Sequence, residues 1–160
     1  MRFSKSVPRG RLALGAAVLA ALLAGPVSGA SASDASIKAA IKSYNSKLLI
    51  ADGHLETALG KYKKSGDPGE VQAAFKKSIA VLSALESKIA SQKVSSPRVK
   101  LGQAKFDKGL TSIVAAYRRL SKAIGEKQVS PTAAKAQAKK AVGEIDKADV
   151  LLKEGAKLLG

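Results

Sequence analysis

Apolar residues recur every three or four positions through four successive stretches of the chain. A period of about 3.6 residues places such positions on one face of an α-helix. The third stretch shows the pattern most clearly, in Phe106, Leu110, Ile113, Tyr117, Leu120 and Ile124. The first and second stretches repeat it from Ile37 and Val71, and the fourth, from Ala134, is richer in alanine. The spacing predicts four amphipathic helices, each with one apolar seam.

Short segments containing proline separate these stretches. Asp67, Ser96 and Ser130 each stand directly before a proline. This arrangement is typical of an N-cap residue followed by the first helical residue, and Asp34 is the corresponding cap of the first helix. Gly53 costs the first helix about 1 kcal/mol relative to alanine, but the flanking residues favour one continuous helix. The predicted helices cover approximately residues 35–65, 68–93, 97–127 and 131–159.

Four helices of similar length joined by short connections predict an all-α fold, an antiparallel up-down-up-down four-helix bundle. A weak internal similarity accompanies this pattern, because Ala73–Ile89 aligns with Ala136–Leu152 at a constant offset of 63 residues. Duplication of a helical hairpin explains the similarity, and so does shared use of alanine and lysine. Both explanations stay open from the sequence.

The first 32 residues have the three parts of a secretory signal peptide. Four basic residues precede an apolar run from Leu12 to Gly25, and a small-residue cleavage motif lies at Ala30-Ser31-Ala32. The run is shorter than the ~20 residues that span a bilayer, so it favours a cleaved signal over a membrane anchor. We therefore expect cleavage near Ala32 and a mature domain of residues 33–160 with no transmembrane segment. The expected location is extracellular or periplasmic, in the cell envelope, reached by the Sec route.

Composition narrows the chemistry that the mature domain can perform. The chain has no cysteine, which excludes disulfides, thiol catalysis and thiolate metal sites. His54 is the single histidine, so a two-histidine zinc motif is excluded, and no phosphate-binding loop or serine-nucleophile motif is present. We expect no catalytic activity, no cofactor and no metal.

Three further groups of residues have the chemistry of a site. Asp52 and Glu56 flank His54 in the sequence and lie at i and i+4 on one helical face. They form either a carboxylate–imidazole site or a polar surface, and the surface is the favoured interpretation. Tyrosines that could ligate haem iron fall on the predicted seams, which favours core positions. The carboxylates of the fourth helix alternate with lysines, which favours a solvated face of mixed charge.

The third helix carries an unusual excess of positive charge. The whole chain has a net charge of +16, of which +12 belongs to the mature domain. Between residues 97 and 127, eight basic residues accompany two acidic ones. Like charges one turn apart destabilise a helix by a few tenths of a kcal/mol, so stability alone does not favour this arrangement. The predicted polyanion-binding residues are Lys105, Lys108, Arg118, Arg119 and Lys122.

These observations favour a secreted, non-enzymatic bundle that binds an acidic polymer or an acidic protein through its third helix. Sequence-specific nucleic-acid binding is not expected, because the chain lacks a short recognition helix and an aromatic platform for bases. Two alternatives remain: a carrier that holds a small hydrophobic ligand in its core, and a structural protein of the envelope. The sequence leaves the oligomeric state and the identity of the partner open.

Overall fold

A computed structural model of the chain describes residues 32–94, 96–127 and 129–159, and these form four α-helices with no strand among them. The helices are α1 (Ala32–Ser65), α2 (Gly69–Ala90), α3 (Pro97–Glu126) and α4 (Pro131–Leu159). The prediction of an all-α chain with four helices is confirmed. Apart from Ala32, where α1 begins, the predicted signal peptide lies outside the described residues. None of the four helices is both long and apolar enough to cross a bilayer.

The connection between α1 and α2 follows from its residue types. Gly66 adopts a positive φ of 75°, which favours glycine, and its amide donates to the Tyr62 carbonyl at 2.8 Å. The Asp67 side chain accepts a hydrogen bond from the Gly69 amide at 2.9 Å, but Pro68 and not Asp67 occupies the N-cap position of α2, so the helix begins one residue later than predicted. The other predicted caps also differ. Ser96 occupies the N-cap position without a side-chain cap bond, and Asp34 lies within the first turn of α1, because that helix begins two residues earlier.

The end of α2 comes three residues before the predicted boundary, and a side chain of another helix bonds to carbonyls at and just after this end. The Gln103 side chain of α3 donates to the carbonyls of Ile89 and Gln92, at 2.6 and 3.0 Å. These bonds replace the intrahelical partners that the end of a helix lacks. At Gly53, by contrast, α1 continues without a break, as predicted.

The predicted seams form the hydrophobic core. Most seam positions are buried, and the partly buried ones, among them Tyr44, Tyr62 and Ile124, pack against the core. In its centre the rings of Phe75 and Tyr117 meet edge to face, with centroids 5.4 Å apart. The core therefore joins α2 and α3 through residues that both lie on predicted seams.

Glycines allow an unusually close approach of α3 and α4. A Cβ atom on Gly155 would lie 2.9 Å from Phe106 Cδ2 and 3.0 Å from the Gly102 carbonyl oxygen. A Cβ atom on Gly109 would lie 2.8 Å from two side-chain atoms of Leu152. Since real Cβ atoms essentially never make contacts below 3.0 Å, these glycines are what brings the two helices together.

Contacts between neighbouring helices follow a regular order along the chain. At one end of α3, Arg98 donates to the Lys157 carbonyl at 3.1 Å. Nearer its other end, Arg119 contacts Glu144 of α4 at 2.7 Å. Rising residue numbers in α3 therefore meet falling residue numbers in α4.

Candidate anion-binding groove

Two of the five basic residues predicted to bind a polyanion are engaged by α4. Lys105 forms an ion pair with Glu154. Arg119 donates through Nε to Glu144 Oε1 at 2.7 Å and through Nη1 to Gln137 Oε1 at 3.4 Å. The guanidinium of Arg119 therefore lies along the α3–α4 contact, and not on the open side of α3 where the sequence placed it.

The charges of Lys108, Arg118 and Lys122 are more accessible to a ligand. Lys122 lies 3.5 Å from Glu126, one turn along α3, and its side chain is 61% exposed. An exposed pair at this distance contributes little and leaves the ammonium accessible. Arg118 and Lys108 are exposed and form no ion pair with any described residue. Lys108 is ten residues, or about 15 Å along the helix, from Arg118, so it belongs to a different part of the surface.

Arg118 and Lys122 line an open groove of about 410 Å³ between α2 and α3. The α2 wall presents residues spaced four and three apart, which places them on one face of that helix. Lys76 is among them, so cations from two helices meet at one groove. We call this surface the basic groove; it is lined by Gln72, Lys76, Ile79, Arg118, Ser121 and Lys122.

The basic groove has the chemistry of an anion site. No carboxylate is among its lining residues, and Lys76 forms no ion pair within the described part of the chain. The Gln72 amide donates to the Ser121 carbonyl at 3.4 Å, which links the two walls. A guanidinium binds phosphate or carboxylate oxygens in pairs, while each lysine contributes a point charge.

The sequence analysis does not predict Lys76 as a binding residue, because its helix has little excess of positive charge. The charge excess of α2 is small, and the residue becomes notable only when packing brings it beside Arg118. Lys76 lies four residues after Gln72 and three before Ile79, so the sequence places it beside the α2 seam. The sequence does not show which helix faces it.

The cluster around His54 has a perturbed carboxyl group but lies apart from the groove-lining residues. Burial, with a smaller contribution from the Glu56 charge, raises the pKa of Asp52 to about 6. Burial and the nearby Asp52 charge raise the pKa of Tyr117 well above its usual value. His54 and Glu56 are exposed. Within the described residues no group of three or more His, Asp or Glu side chains is arranged to hold a metal ion.

The tyrosines and the α4 carboxylates have structural partners. Tyr117 is buried in the core, and the Tyr44 and Tyr62 rings lie under the ammonium groups of Lys47 and Lys127, at 4.9 and 5.2 Å. Glu144 and Glu154 pair with α3, as described above, and Asp149 pairs with Lys153 at 2.7 Å. The tyrosines therefore lie in or against the core, whereas Glu144 and Asp149 are more buried than the solvated face that the sequence predicts.

The chain was compared with protein-family models, with curated proteins and with solved structures, and none of the three comparisons finds a match.

Proposed function

We propose that this protein is an exported, non-enzymatic helical bundle that binds a linear polyanion through its basic groove. The polyanion is an anionic wall polymer, a charged glycan or another acidic surface of the cell envelope. The observation that carries the proposal is the meeting of Lys76, Arg118 and Lys122 at one groove that no acidic side chain lines.

The order of helix contacts supports an antiparallel, up-down-up-down arrangement. Gln72, near the start of α2, bonds to Ser121 near the end of α3, whereas Gln103, early in α3, bonds to Ile89 late in α2. The same reversal relates α3 to α4. Consecutive helices joined by connections of a few residues pack this way in bundles.

Export is the second part of the proposal and rests on the N-terminal sequence. A basic segment, an apolar run and a small-residue motif ending at Ala32 are the parts of a cleavable signal. N-terminal sequencing of the secreted protein should find Ser33 or Asp34 as the first residue. Recovery of secreted protein that begins at Met1 would contradict cleavage.

Affinity for a polyanion is the direct test of the groove. Heparin and long-chain polyphosphate serve as probes, and binding is titrated between about 150 and 500 mM salt, where counterion release weakens such contacts steeply. Replacing Lys76, Arg118 and Lys122 together by serine should lower affinity roughly tenfold or more and reduce the salt dependence. Circular dichroism should show an unchanged helix content, since these side chains lie at the surface.

A matched control removes the same charge elsewhere. Lys88, Lys93 and Lys100 are exposed and lie around the connection between α2 and α3, at the other end of α2. Their replacement by serine should change affinity much less than the groove variant does. Equal losses in the two variants would mean that net charge, and not the basic groove, drives binding. Binding by the wild type that does not respond to salt would refute the proposal.

A further inference from the structure

The basic groove opens toward an end of the molecule where three helices meet. Lys127, directly after α3, places its ammonium 5.2 Å from the centre of the Tyr62 ring in the last turn of α1. Lys61 of α1 pairs with Glu70 in the first turn of α2, at 2.9 Å. The end of α1, the start of α2 and the end of α3 are therefore neighbours.

Two lysines at this end keep their charge unneutralised. Lys63 and Lys64 follow Tyr62 in the last turn of α1, are exposed, and form no ion pair with any described residue. We call them the α1 terminal pair. They sit where the α1 dipole is negative, which favours cations at these positions but does not neutralise them.

The acidic residues around this end already have partners. The Asp67 carboxylate accepts the Gly69 amide, Glu70 pairs with Lys61, and Glu126 lies beside Lys122. None of them forms an ion pair with the α1 terminal pair. Five lysines lie at this end against three acidic residues, so its net charge is positive; the lysines are Lys61, Lys63, Lys64, Lys122 and Lys127, and the acidic residues are Asp67, Glu70 and Glu126.

We infer that the basic groove and the α1 terminal pair form one continuous track for a flexible linear polymer of phosphate groups. This inference rests on the proposed function and specifies its ligand. The groove lies between α2 and α3, whereas the terminal pair lies in the last turn of α1. Along α3 alone, Arg118 and Lys127 are nine residues, or about 13 Å, apart. A chain that follows both surfaces must bend, which a flexible polymer does and a rigid duplex does not.

Two linked cationic surfaces make affinity depend on ligand length. A short phosphate chain occupies the basic groove alone. A chain long enough to reach the α1 terminal pair binds there at high effective concentration, and such linkage raises affinity by about 10²-fold or more. The ligand's length therefore reports whether the second surface contributes.

The experiment measures dissociation constants of the full protein for linear inorganic polyphosphate, from tripolyphosphate to chains of several tens of units. Affinity should rise steeply with length and then level off. The variant Lys63→Ser/Lys64→Ser should lose this gain, about 10²-fold in affinity for long chains, while binding tripolyphosphate like the wild type. The matched control Lys88→Ser/Lys93→Ser, which removes the same charge at the far end of α2, should retain the full gain with length.

The outcomes separate the two proposals. If the α1 terminal variant binds every chain length like the wild type while the groove variant loses binding, the track is wrong and the groove stands. If the wild type binds no polyphosphate of any length and no heparin, the proposed function fails. If duplex DNA of equal charge binds as tightly, with the same loss in the α1 terminal variant, the occupant is not restricted to a flexible polymer and the inference is overturned.

Discussion

Replacing Gly155 by alanine tests the close approach of α3 and α4. The added Cβ would lie 2.9 Å from Phe106 Cδ2, 3.0 Å from the Gly102 carbonyl oxygen and 3.2 Å from the Phe106 amide nitrogen. Two of these three atoms belong to the backbone, so a change of rotamer does not relieve the contact. Overpacking of this kind costs about 1–3 kcal/mol, whereas alanine in place of glycine favours a helix by about 1 kcal/mol. The difference between these two effects is a net loss of up to about 2 kcal/mol in the free energy of unfolding.

Gly143 provides the matched control, because it lies in the same helix and is exposed. A Cβ atom there would meet no atom within 4 Å. Only the gain in helix propensity remains, so Gly143→Ala should stabilise the protein by about 0.5–1 kcal/mol. The same substitution at two positions of one helix is therefore expected to change stability in opposite directions.

Thermal and urea unfolding, followed by circular dichroism, measure both variants. For a domain of this size 1 kcal/mol corresponds to a shift in Tm of roughly 3–5 °C. Gly155→Ala should lower Tm and Gly143→Ala should raise it. Equal stabilisation by the two substitutions would refute the conclusion that glycine is required for the α3–α4 contact.

Three further predictions concern single side chains. Asp52→Asn should stabilise the protein near pH 7 by about 1–2 kcal/mol, allowing for partial hydration of the carboxyl. The folded-state pKa is raised from 3.8 to about 6, so wild-type stability should fall as pH rises through this interval. The variant should lose that dependence, and an equal pH dependence of the unfolding free energy in both proteins would contradict this. Arg119→Gln should cost about 1–2 kcal/mol by removing the partner of Glu144, while Arg118→Gln leaves Tm unchanged; equal effects would contradict the assignment. Gln103→Ala should cost about 1–2 kcal/mol and speed amide exchange at the end of α2, and unchanged exchange there would argue against its capping role.

The helices and their core faces were predictable because both depend on local patterns. The apolar period of 3.6 residues identified Phe75, Phe106 and Leu110 as core residues, and all three are buried. Helix ends were less predictable where a distant residue decides them. Gln103 lies 11 residues after Gln92 in the chain. Nothing in the sequence near α2 indicates that the Gln103 side chain bonds to the carbonyls of Ile89 and Gln92.

The glycine contact left a signal in the sequence that periodicity of large apolar residues does not detect. Gly102 and Gly109 are seven residues apart, which places them on the same face of α3. Small residues that share one face of a helix let another backbone approach closely, a rule best known from membrane helices. The sequence does not specify the partner helix, because Gly155 meets this face only through the fold.

The two helices that flank α3 divide its basic charge unequally. Arg118 and Arg119 are adjacent in sequence and differ by about 100° around the helix. On the α4 side, Glu144 pairs with Arg119 and neutralises its charge. On the α2 side the facing residue is Lys76, which adds to the charge of Arg118. A count of basic residues along α3 does not distinguish these two sides, because the neighbouring helix decides whether each arginine faces a negative or a positive side chain. The groove therefore arises from the pairing of helices. Its strongest test compares these two adjacent arginines in one binding assay. Arg118→Ser should weaken polyanion binding without changing Tm, whereas Arg119→Ser should lower Tm with a much smaller effect on binding by the folded protein. The reverse result would place the anion site on the α4 side.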